Sequence, residues 1–79
     1  MKEIGKVLHQ AGSGRVIIRL HNDALEGDVL YDSKGVRVAR IREIIGPVTA
    51  PYASAEPITN NIRRHIGELV GTHSKRTKN

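Results

Sequence analysis

Glycine and proline interrupt this chain so often that few stretches run past nine residues without one. Each interruption is a place where the backbone turns or stops pairing. Short pieces joined by tight turns suit a small β barrel.

The pieces themselves read as strands. IGKVLHQ opens the series, and Ala11-Gly12-Ser13-Gly14 turns it. In RVIIRL the period is two: Val16, Ile18 and Leu20 face one way, while Arg15, Ile17 and Arg19 face the other. Its β-branched residues favour a half-buried strand. HNDALEGD is polar and turn-rich, and its carboxylates, with Asp32 beyond them, read as a solvated cluster over 23–32. DVLYD is a short strand that Ser33-Lys34-Gly35 turns into the next.

VRVARIREII is the longest β-like segment. Val36 and Val38 share one parity, and Ile41 and Ile45 share the other. The apolar phase therefore slips near Ala39-Arg40, as a β-bulge or barrel bend requires. PYASAE adds one more strand before Pro57. The end reads two ways. Ile62, Ile66, Leu69 and Val70 have helical spacing with an Asn cap available, yet Gly67 interrupts a helix there. The alternative is a loop or helical turn over 58–65 and a final strand at 67–72.

A chain of 79 residues is one domain, expected over 1–72, with a basic, flexible tail at 73–79. A domain this size buries only about 60% of its unfolded surface. With no cysteine it has neither disulfides nor thiolate metal sites to help it, so a partner that binds the folded state would. No apolar run approaches a membrane span, and MKEIGKVLHQ lacks the apolar core of a signal peptide. A cytoplasmic protein is expected.

The formal charge is +5, unevenly spread. Residues 1–56 carry eight Lys/Arg against seven Asp/Glu, and residues 57–79 carry five against one. A body that gripped nucleic acid would hold the excess itself. The candidates for RNA contact are therefore Arg63, Arg64, Lys75, Arg76 and Lys78 near the end. Tyr31 and Tyr52 are the only aromatics for base stacking. Arg40 with Arg42, and Arg15 with Arg19, read as solvated strand faces.

No catalytic constellation is visible. Gly12-Ser13-Gly14-Arg15 lacks the spacing and the Lys-Ser/Thr ending of a phosphate loop and reads as a hairpin turn. His9, His21, His65 and His73 lack metal-ligand spacing, so neither metal nor cofactor is expected. So short a chain also makes a poor cleft for acid–base work.

The segment IREIIGPVTAPYA carries more. Pro47 cannot donate to a β ladder, and Pro51 stiffens the same connection. A stiff loop that displays Val48, Pro51 and Tyr52 loses little entropy on docking. Equally, it could be a barrel corner with Tyr52 tucked inward.

GPVTAPYA, preceded by VRVARIREII and GDVLYDSKG, resembles the core signature of the GAR protein family of H/ACA ribonucleoproteins, in its short archaeal form. In that family a V-x-D strand leads through a turn and a V-G-x-V-x-D-I-F strand into GPV-x-x-PY. Val29-Leu30-Tyr31-Asp32 is similar to the first element, and Ile44, Gly46, Pro47, Val48, Pro51 and Tyr52 match the second. The opening GKVLH is also similar, so the resemblance spans most of the chain, and GPV-x-x-PY is its most specific part. Glu43 stands where the family has Asp, Ile45 where it has Phe, and Ala39 where it has Gly. The terminal IGELVGT lacks the family's aromatic.

The resemblance implies an all-β fold: a small six-stranded antiparallel barrel of the translation-factor and reductase type, with a loop or helical turn before a last strand at 67–72. It also implies a non-catalytic role in rRNA pseudouridylation. The family binds the catalytic domain of the H/ACA pseudouridine synthase and, through the synthase's mobile loop, affects loading and release of substrate RNA. Guide RNA and substrate rRNA would then be met indirectly, within the complex. The docking surface expected is Ile44, Ile45, Gly46, Pro47, Val48, Pro51 and Tyr52. With its partner absent, such a barrel could pair with itself through apolar patches. The other classes are a direct RNA-binding barrel or ribosome-assembly factor, and the barrel domain of a translation GTPase or reductase. The missing phosphate loop argues against the last.

Overall fold

A computed structural model describes residues 2–73. Six strands close into an antiparallel barrel: β1 (Lys2–Gln10), β2 (Val16–Leu20), β3 (Val29–Tyr31), β4 (Arg37–Ile45), β5 (Tyr52–Pro57) and β6 (Leu69–Thr72). Around the barrel they run β1-β2-β5-β4-β3-β6, and β6 pairs with β1 to complete the circle. The six-stranded barrel expected from the sequence is the fold observed. A one-turn 3-10 helix, Ile62–His65, precedes β6.

Curvature comes from the two nine-residue strands. On β1 the register shifts at Ile4 against β6 and at Leu8 against β2. On β4 it shifts at Val38 against β3 and at Arg42 against β5. Each extra residue bends its strand and increases the local twist, which lets so few strands close. Gly5 lies beside one of these bends, and a Cβ there would collide with the Arg19 carbonyl oxygen. Only glycine allows β1 to approach β2 so closely at that point.

The slip expected near Ala39-Arg40 is thus resolved into two. Val38 and Ala39 are both buried, which is the first. The second, at Arg42, overturns the reading that Ile41 and Ile45 share a face: Ile41 is buried and Ile45 is 37% exposed. Ile44 turns in instead and packs on the core.

Inside, Val16, Ile18 and Leu20 of β2 point inward as their alternation requires. They meet Ile4 and Val7 of β1, Leu30 of β3, Ile41 of β4 and Val70 of β6. β5 contributes only Ala53 and Ala55, small residues that leave space for the branched side chains opposite. Each fully buried Ile, Leu or Val contributes about 1.5–3 kcal/mol. Ile62 plugs the barrel from the 3-10 helix.

The helical spacing at the C-terminus does not become a helix. Ile62 and Val70 are buried, whereas Ile66 and Leu69 are exposed. The Gly67 N–H donates to the Val7 carbonyl (2.7 Å) and the Val7 N–H to the Glu68 carbonyl (3.0 Å), so this turn is bonded to β1 before β6 begins. The last strand is shorter than the expected 67–72. Asn61 makes no side-chain cap. Of the basic tail, only His73 is among the described residues, its ring edge-on to Tyr31 with centroids 4.1 Å apart. No helix among the described residues is long and apolar enough to cross a membrane.

Candidate protein-docking surface

The β4–β5 connection is held from several sides. Gly46 ends β4 with φ of +90°, a conformation that L side chains avoid. The Ala50 N–H donates to the Pro47 carbonyl (3.1 Å), closing a turn. The Leu20 N–H donates to the Pro51 carbonyl (3.1 Å), tying the loop to the end of β2. Tyr52 then starts β5 opposite Ile45 on one side and Arg19 on the other.

Beside this loop lies the β2–β3 connection, itself fixed to β1. The His21 N–H donates to the Ile4 carbonyl (2.7 Å), and the Asn22 side-chain amide donates to the Glu3 carbonyl (2.9 Å). Between the two loops is a groove of about 300 Å³ whose apolar lining is Leu20, Ala24, Ile44, Gly46, Pro47, Val48 and Pro51, with Asn22 and Asp23 as its polar edge. Val48 stands out from the lip, 95% exposed. An apolar side chain this exposed, on a loop this constrained, contributes nothing to the barrel's own core.

The seven residues expected to dock therefore divide. Ile44, Gly46, Pro47, Val48 and Pro51 gather in the groove. Ile45 and Tyr52 lie on the outer wall around the corner, in a row that continues through Arg19 to Lys6 and Leu69. Tyr52 is half-buried, its ring against Gly46 rather than in the core. The groove residues of the β2–β3 loop escaped sequence reasoning, because they reach the site only through the β2–β5 pairing.

Arg63 and Arg64 are exposed on the 3-10 helix. They share a shallow recess with Gln10, at the end of β1 remote from the docking loop. Lys75, Arg76 and Lys78 lie outside the described residues. Arg15 is not free on its strand face: its guanidinium donates to the Ser54 hydroxyl (3.3 Å). Arg42 pairs with Glu56 at 3.7 Å in the open.

A second cluster was invisible in the sequence. Asp32, expected in a solvated stretch, is 8% exposed. Its Oδ1 accepts the Lys34 and Val36 N–H groups, both at 2.9 Å, and so shapes the β3–β4 turn. The Val36 N–H, and after it the Lys34 N–H with the charges of His65 and Lys34, hold the carboxyl below its ordinary value against the opposing effect of burial. His65, buried at the end of the 3-10 helix, places Nδ1 2.7 Å from Glu68 Oε1 and 3.9 Å from Asp32 Oδ2. Separations of 33 and 36 residues along the chain hid this grouping.

Fold and loop define a small closed β barrel whose chemistry-bearing features sit on its rims. No family model matches the chain. An uncharacterized protein of Methanothermobacter thermautotrophicus (strain Delta H) is 33% identical over 82 aligned positions, spanning 99% of this chain and 89% of the relative. The chain belongs to the same family as that archaeal protein.

Proposed function

We propose that this protein is a non-catalytic, cytoplasmic subunit of an archaeal H/ACA ribonucleoprotein that docks on the catalytic domain of the pseudouridine synthase. The observation that carries the reading is Val48, almost fully exposed at the lip of an apolar groove built by the loop that bears the GPV-x-x-PY block. The bonds from Ala50 and Leu20 preorganise that loop, so docking would lose little of its energy to ordering. The groove would take an apolar side chain of the synthase, and the outer-wall pair Ile45 and Tyr52 would extend the contact. By binding one position of the synthase's mobile loop better than another, the subunit would bias loading and release of substrate RNA. The relative is itself archaeal, as an archaeal subunit requires.

Titration calorimetry against the archaeal synthase, without RNA and at two salt concentrations, tests this. Tight binding with little salt dependence is expected. A second reading, direct RNA binding, rests on Arg63 and Arg64, exposed side by side. Failure to bind the synthase, together with steeply salt-dependent binding to guide RNA, would replace the first reading with the second.

A further inference from the structure

Three segments distant in sequence bring donor atoms to one point. Asp32 comes from the β3–β4 turn, His65 from the 3-10 helix and Glu68 from the turn before β6. Their facing atoms all lie within 4.8 Å of one another. From this we propose that Asp32 Oδ2, His65 Nδ1 and Glu68 Oε1 bind one divalent transition-metal ion of the zinc type.

The donor count is the first argument. Two carboxylates face a single imidazole nitrogen. That nitrogen carries at most one hydrogen, which it can give to one of them. Glu68, at 2.7 Å, takes it, and Asp32 Oδ2 at 3.9 Å is left without it. The side chains of Asp32 and His65 are each 11% exposed, so the cluster is covered on two sides and open to water only along Glu68. A divalent cation, taking the place of the Nδ1 hydrogen, would meet both carboxylate oxygens at once, which a single hydrogen does not.

Geometry is the second. Zinc-type ions sit about 2.0–2.2 Å from nitrogen and oxygen ligands, which places neighbouring donors roughly 3–3.5 Å apart. The two contacts of His65, 2.7 and 3.9 Å, bracket that spacing, and the two carboxylate oxygens, within 4.8 Å of each other, would draw together on the ion. The adjustment falls to Glu68, whose side chain is half exposed and has room to swing. Asp32 is already oriented, because its other oxygen is held by two backbone N–H groups, the outer support that metal-binding carboxylates commonly have. Glu68 also lines an open recess with Glu3, Ser33, Gly67 and Leu69, from which water can complete the coordination. Mixed nitrogen and oxygen donors with water positions suit Zn²⁺, Co²⁺ or Ni²⁺. Bound there, the ion would replace the hydrogen shared by His65 and Glu68 and cross-tie the β3–β4 turn to the segment that leads into β6.

The test is a titration of the full chain with Co²⁺, followed by its visible absorption, with Zn²⁺ as competitor. The wild type is expected to take one Co²⁺, to release it to Zn²⁺, and to melt at higher temperature when loaded. Glu68→Gln, at a half-exposed position that should leave the fold intact, is expected to weaken uptake by about tenfold or more. His65→Asn should abolish it, and His9→Asn, on the exposed side of β1, should leave it unchanged. No Co²⁺ spectrum from the wild type near neutral pH would overturn the proposal. So would equal affinity in the wild type and Glu68→Gln.

Discussion

Tyr52 lies over Gly46, and a Cβ built on the glycine would stand 3.5 Å from Tyr52 Cδ1 and 3.3 Å from the Ala50 carbonyl oxygen. The two residues closing the β4–β5 connection are thus fitted to one another, and the loop between them inherits that fit. Gly46→Ala should cost about 1–2 kcal/mol, combining the positive φ with the crowded carbonyl. Urea unfolding measures the loss. A change in Tyr52 fluorescence in the folded state would report the ring's displacement.

Val48 offers a cleaner probe of docking, because so little of it is buried. Val48→Asp should change barrel stability by no more than about 0.5 kcal/mol. The same variant should weaken binding to the synthase by about 1–3 kcal/mol, as should Tyr52→Ala. Calorimetry on both variants checks this, and unchanged affinity in both would remove the loop from the interface.

Ile44 and Ile45 are neighbours with opposite fates, decided by the bulge at Arg42. Ile44→Ala should cost about 1–2 kcal/mol because it removes packing from the core edge. Ile45→Ala should cost clearly less in stability and show instead in synthase affinity. Chemical denaturation of the pair would reveal a reversed order if the bulge were misplaced.

Asp32 has a folded-state carboxyl held below its ordinary 3.8. A depressed carboxylate contributes stability that is present above the unfolded value and is lost as pH falls through the folded one. In chelator, where no ion competes, wild-type stability should therefore decline more steeply than that of Asp32→Asn as pH falls through and below the ordinary carboxylate value. Parallel curves in urea unfolding would mean the N–H groups of Lys34 and Val36 do not favour the charged form.

Much of the barrel was legible because alternation is a local signal. Val16, Ile18 and Leu20 announce an inward face without reference to any other strand. The Gly-Pro and Pro-Tyr pairs likewise mark where β4 stops and β5 starts. Bulges were legible only as a loss of phase. One slip can be seen between Val38 and Ile41, but the second, at Arg42, depends on which residue of β5 sits opposite, and no local pattern encodes that. The site was half legible for the same reason. Its loop is one contiguous segment, whereas Leu20, Asn22 and Ala24 arrive through strand pairing, and the Asp32–His65–Glu68 grouping arrives through the closing of the barrel. The helical spacing of Ile62, Ile66, Leu69 and Val70 left the end open to two readings because a 3-10 turn and a short strand share it by coincidence, and the turn-then-strand reading is the one observed.

The seam of the barrel joins its first strand to its last. A ribosome that has made β1 through β5 has therefore made a curled sheet with two open edges, β1 on one side and β3 on the other. The edge groups of Glu3 and Tyr31 wait for Gly71, which is among the last described residues to be synthesised. The barrel accordingly cannot close until β6 is available, and a message truncated before residue 69 would yield two exposed strand edges in place of a closed wall.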